Sequence, residues 1–208
     1  GWRRACAAAA VTLAASGAAA ASIGTPEYTE FLPVWLNRAT SEHPMPALLN
    51  VPPGWQAGDA AVVVVSGPGA PEALRYRLSA AVIDAGAAVL ELHIADGREA
   101  ELPQVLAEGL RTLREAFSAG VVVAVGADRN AAAVLAATRP QQAVSGGYSA
   151  AAVIQDGRLR VVAGAALGMS EGWPRRAPML CSILAGVFEA TPRGFVEGCA
   201  RELARAGE

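Results

Sequence analysis

Residues 61–97 read AVVVVSGPGAPEALRYRLSAAVIDAGAAVLELHIADG. Four consecutive valines bounded by turn residues predict a strand buried on both faces. A small-residue turn follows at Ser66–Ala70. Pro71 suits the first turn of a helix, and Glu72 favours its positive end. Leu74, Leu78, Ala81 and Val82 recur at spacings of three and four, which predicts one apolar stripe along that helix. Gly86 supplies a helix stop, and the chain then returns to a strand. Strand, glycine turn, helix and strand together make the βαβ unit of a parallel sheet.

The alternation continues downstream. Leu106, Leu110, Leu113 and Phe117 line one face of a second amphipathic helix. The run VVVAVG (121–126) predicts a third fully buried strand, and ADRN (127–130) turns it directly into a small-residue helix. Two further strands follow, with Asp156–Gly157 as a tight hairpin turn between them. The stretches APMLCSILAGVFEA (177–190) and PRGFVEGCARELARA (192–206) read as a buried segment and a closing helix. The expected fold is α/β, a three-layer α/β/α sandwich with a mainly parallel sheet, formed by residues 47–208. Residues 22–46 carry prolines and scattered aromatics. They are expected to form an irregular arm anchored by Phe31, Leu32, Trp35 and Leu36.

Composition narrows the function classes. The chain of 208 residues suits one domain with a full core. A net charge of −2 favours neither nucleic acid nor an anionic membrane as a partner. The aromatics are not interleaved with basic residues, so base stacking has no support. All 17 basic residues are Arg. That excludes a phosphate-loop Lys, a Schiff-base Lys and a Ser–Lys pair. Two histidines far apart, His43 and His93, with no clustered carboxylates, make no metal-ligand set. No cofactor is expected.

The first 21 residues resemble an export signal. Arg3–Arg4 precede an uncharged Ala-rich run that ends in small residues near Ala19–Ala21. This run is too weakly hydrophobic for a permanent membrane span. The expected location is therefore the periplasm or the exterior. Cys6 falls inside the signal, which leaves Cys181 and Cys199 to pair or to remain as buried thiols.

A parallel sheet places ligands at the carboxyl ends of its strands, here Ser66–Ala70, Ala95–Arg98 and Gly126–Asn130. Read as a dinucleotide loop, Gly67 and Gly69 fit the first two glycines of the fingerprint. Glu72 then stands where a third small residue belongs and would repel a pyrophosphate. Glu91 lies roughly where a ribose-binding acid would, but inside a strand.

Over residues 47–137 the order and spacing of these elements resemble the α/β-hydrolase superfamily, especially its small secreted esterase-like members. The resemblance implies that Ser66, Gly67 and Gly69 occupy the oxyanion loop, where a backbone N–H stabilises a developing charge. It implies that Gly126–Asn130 occupies the nucleophile elbow, with Arg129 beside the ligand. Asp128 stands at the place of the usual Ser. Dehalogenases and epoxide hydrolases of the superfamily use an Asp there, with a His late in the chain to activate water. This chain has no His after His93. The stretch GYSAA (147–151) looks like a second elbow with Ser149 as nucleophile, although a better strand precedes Asp128. Each candidate also has a plain structural reading. For Asp128 that is a helix cap, for Ser149 the start of a strand, for His93 a strand residue, and for Trp173 a loop aromatic packed on the core. The expectation is a hydrolase-like pseudoenzyme that binds a small ligand or a protein partner in an inherited cleft. The alternatives are an active hydrolase using Asp128 or Ser149 with His93 as base, and a nucleotide-binding module.

Overall fold

The computed structural model describes residues 29–36, 43–67, 72–139, 147–155 and 158–164, and a few positions near the C-terminus that include Cys181 and Cys199. The expected signal, Gly69 and Trp173 lie outside the described residues.

Among the described residues, seven strands form one sheet: β1 (Glu30–Leu36), β2 (Met45–Val51), β3 (Ala60–Ser66), β4 (Ala88–His93), β5 (Val121–Ala127), β6 (Ala150–Gln155) and β7 (Arg158–Ala163). Their spatial order is β1-β2-β4-β3-β5-β6-β7. Helix α1 (Glu72–Asp84) connects β3 to β4. Helix α2 (Leu102–Arg111) connects β4 to β5 and runs on into a π-helical turn at Thr112–Ala116. Helix α3 (Ala131–Ala137) follows β5.

The sheet separates two cores. On one face, Val62, Val64, Val89, Val123 and Val125 pack with Leu78 and Val82 of α1 and with Cys181 and Cys199. On the other, Val63, Leu90, Leu92, Val122 and Ala124 pack with Leu106 and Leu110 of α2 and Val134 of α3. This is the three-layer arrangement expected. The apolar runs of β3 and β5 arise because both faces of each strand are covered.

One expectation is borne out in part and another needs correction. The sheet is parallel at its centre and mixed as a whole. Pairs β3–β4, β3–β5 and β5–β6 are parallel, whereas β1–β2, β2–β4 and β6–β7 are antiparallel. The helical crossovers force parallel pairing only at the centre, and both flanks return antiparallel. Part of the expected irregular arm is strand β1, paired with β2 along its whole length. Its alternation puts Leu32, Val34 and Leu36 against the core and leaves Phe31 and Trp35 outside. Pro33 is tolerated because an edge strand needs hydrogen bonds on one side only.

Cys181 and Cys199 are joined in a disulfide, with Cα atoms 5.9 Å apart. That resolves the two options the sequence leaves open.

Candidate functional site

β3 and β4 run parallel in a register that sets Ser66 opposite His93. Each is the last residue of its strand. Side chains alternate across a strand, so Glu91 and His93 share the α1 face with Val89, and Ser66 shares it with Val64. Ser66 is buried, and its Oγ donates to the Leu92 carbonyl at 3.1 Å. The same Oγ lies 3.3 Å from Nδ1 of the exposed His93 ring.

The first turn of α1 brings charge to this strand end. Arg75 donates to Glu91 at 2.9 Å and to Glu72 at 3.2 Å, and its guanidinium lies 4.6 Å from the centre of the Tyr76 ring. The second Glu91 oxygen accepts from the Asn50 amide at 2.8 Å. Ser66, Gly67, Glu72, Arg75 and His93 line a cavity of about 300 Å³. A small apolar recess bounded by Val64, Leu78, Val125 and Ala127 adjoins it through Ser66 and Arg75.

The turn after β5 lies next to this strand end. A β-carbon on Gly67 would stand 2.9 Å from the Ile94 carbonyl oxygen and 3.4 Å from the Asn130 amide nitrogen. The buried Asn130 thus sits between the β3 turn and the β5 turn. Gly126 is required for a similar reason, since a β-carbon there would come within 2.7 Å of Val134 Cγ2. Asp128 takes a left-handed backbone, φ 48°, at the point where strand becomes helix. For a non-glycine residue this conformation costs about 1 kcal/mol. Asp128 and Arg129 are exposed, and the Asp128 carboxylate has no partner among the described residues.

The other sequence candidates lie apart. His93 and Asp128 belong to β4 and to the end of β5, with β3 between them. Their strands are thus about 10 Å apart. His43 is exposed, and its carbonyl accepts from Arg98 at 2.7 Å. The Glu101 carboxylate at 2.7 Å pushes the Arg98 pKa up. Ser149 lies at the opposite end of the sheet. It precedes Ala150, which pairs with Val123 near the start of β5, while Ala127 pairs with Ile154 near the end of β6. Its backbone N–H donates to the Val122 carbonyl at 2.8 Å. Its Oγ accepts from the Val122 N–H and from Arg114, each at 3.3 Å. The structure therefore separates Ser149 from the carboxyl-end cluster and gives it the strand-start role.

Sequence reasoning missed Arg75 and the pairing of Ser66 with His93. The signal available was a polar residue closing each strand, Ser66 after a valine run and His93 after AVLEL. Their register, which brings the two together, is a tertiary property. Among the described residues there is no cluster of three metal-ligating side chains, and no helix is long and apolar enough to cross a membrane.

No protein-family model matches the chain, and no curated protein matches it. Solved structures do. The dienelactone hydrolase from Anabaena variabilis matches with a TM-score of 0.44 at 16% identity, over 83% of this chain and 94% of that one. The esterase domain of a Rhodothermus marinus protein matches with a TM-score of 0.40 at 21% identity, over 53% of this chain and 45% of that one. Epoxide hydrolase A from Mycobacterium thermoresistibile matches with a TM-score of 0.38 at 20% identity, over 53% of this chain and 35% of that one. The chain spans about half the length of the Rhodothermus marinus esterase domain and of a carboxylesterase structure from Lactobacillus plantarum that it also matches.

Proposed function

We propose that this chain is an exported, hydrolase-like scaffold that binds a small ligand in the cavity at the carboxyl ends of β3 and β4 and no longer hydrolyses it. The observation that carries this reading is where His93 is engaged. Its Nδ1 lies 3.3 Å from Ser66, one strand away. The strand of Asp128 is a further strand off, and its carboxylate has no partner among the described residues. A carboxylate nucleophile needs a base to activate the water that releases its ester, within hydrogen-bond reach or one water away. The disulfide between Cys181 and Cys199 and the N-terminal Arg–Arg plus Ala-rich run support export. The test is turnover of short p-nitrophenyl esters and of styrene oxide by the purified protein. No rate above buffer is expected, and Asp128→Asn should change nothing.

One observation favours a second reading, an active hydrolase with Asp128 as nucleophile. The turn keeps a left-handed backbone at Asp128 and a glycine packed against Val134. Strain of this kind clusters at functional sites. Turnover that Asp128→Asn abolishes would put this reading in place of the first.

A further inference from the structure

Hydrogen bonding in the β3–β4 cavity has a definite polarity. The Ser66 hydroxyl has one proton, and the Leu92 carbonyl, which can only accept, lies 3.1 Å away. With that proton committed, the one between Ser66 Oγ and His93 Nδ1 belongs to the ring. A neutral imidazole protonated at Nδ1 carries its lone pair on Nε2. Nε2 has no partner among the described residues, and the ring lines the cavity.

The cationic group in the cavity wall is already committed. Arg75 is held by Glu91 and Glu72 and lies against Tyr76. Glu72 and Glu91 against Arg75 leave one negative charge in excess. The Glu72 side chain is 71% exposed, and only one of its oxygens meets Arg75. Glu72 also stands in the first turn of α1, where it offsets the positive end of the helix. Among the described residues, the lining side chains free to meet a ligand are therefore acceptors, His93 Nε2 and the second Glu72 oxygen.

We infer that the cavity takes a small protonated amine, its ammonium held between His93 Nε2 and the Glu72 carboxylate. Ser66 acts as a positioning residue that fixes the ring tautomer. This inference rests on the ligand-binding reading of the cavity, and the probes below separate the failure of one from the failure of the other.

The experiment is titration of ¹⁵N-labelled protein with n-butylammonium, butyrate and 1-butanol, with long-range ¹H–¹⁵N correlation of the histidine rings. His93→Gln identifies the His93 signals. Butylammonium should shift the Ser66, Gly67 and His93 resonances saturably, and butyrate should not. The neutral His93 ring should carry its proton on Nδ1, and Ser66→Ala should release it toward the Nε2 form. Glu72→Gln, a change at an exposed side chain, should weaken butylammonium about tenfold, as loss of one charge-assisted hydrogen bond does. If butyrate or butanol binds at these resonances better than butylammonium, the amine inference falls and the ligand site stands. If no probe shifts them, both fall. A neutral His93 protonated on Nε2 in the unmodified protein also overturns the inference.

Discussion

Gly126 and Val134 are packed so closely that a β-carbon on the glycine would stand 2.7 Å from Val134 Cγ2. The contact sets the close approach of α3 to β5 and with it the turn that carries Asp128. Valine is branched at Cβ and has little rotamer freedom to move aside. Gly126→Ala should therefore cost about 1–3 kcal/mol, the usual range for overpacking a filled core. Val134→Ala should cost about 1–2 kcal/mol by itself through its lost methyls. The double variant should be more stable than the sum of the two losses, because each change relieves the other. Urea denaturation of the four proteins measures this coupling, and strict additivity would mean that the contact is absent.

The backbone at Asp128 makes a second prediction. At φ 48° a β-branched residue is disfavoured, whereas Asp, Asn and Gly are tolerated. Asp128→Val should cost about 1–2 kcal/mol. Asp128→Asn should fall within about 0.5 kcal/mol of the parent, since the carboxylate is exposed. Asp128→Gly should do the same, because relief of strain offsets the added freedom of the unfolded chain. Urea midpoints separate the three. A Val variant as stable as the parent would argue against the left-handed turn.

Different parts of this architecture were legible for different reasons. The centre of the sheet was readable because Val62–Val65 and Val121–Val123 are covered on both faces and so form unbroken apolar runs. Helix α1 was readable because Leu74, Leu78, Ala81 and Val82 recur at spacings of three and four and pack on one core, with Ser79 buried beside them. The flanks were not. β1 has Pro33 at its middle and two exposed aromatics, and it is a strand only because β2 pairs with it. The antiparallel return at each flank leaves no mark in strand–helix alternation. At the site, the turn geometry followed from the glycines. The pairing of Ser66 with His93 depends on the register of two strands 22 residues apart from the end of β3 to the start of β4, from Ser66 to Ala88. No local pattern specifies that register.

The disulfide gives a third prediction. Cys181 and Cys199 are 18 positions apart, and both sulfur-bearing side chains lie in the core beneath α1. Closing a loop of this size restricts the unfolded chain by about 3 kcal/mol. Reduction with dithiothreitol under native conditions should lower the urea midpoint accordingly, and reoxidation should restore it. An unchanged midpoint after confirmed reduction would show that the cross-link contributes nothing.

The last prediction concerns alkaline pH. Tyr148 is 1% exposed, and its hydroxyl donates to the Leu106 carbonyl at 2.7 Å, which ties the segment before β6 to α2. Burial pushes its phenol well above the ordinary tyrosine value. In the unfolded chain the phenol loses its proton near pH 10. The native state keeps that proton, so above about pH 10 the native state binds more protons than the unfolded state, and stability falls as pH rises. Below that pH both states are protonated, and the group adds no pH dependence. The loss should approach about 1.4 kcal/mol per pH unit once the unfolded phenol is ionised. Tyr148→Phe removes both the hydrogen bond and the proton. It should cost about 1 kcal/mol at neutral pH through the lost bond and the unpaired carbonyl. Above pH 10 it should lose less stability per pH unit than the parent. The two curves of unfolding free energy against pH should therefore converge, and then cross, as pH rises. Parallel curves would mean that Tyr148 ionises as readily in the native protein as in the unfolded chain.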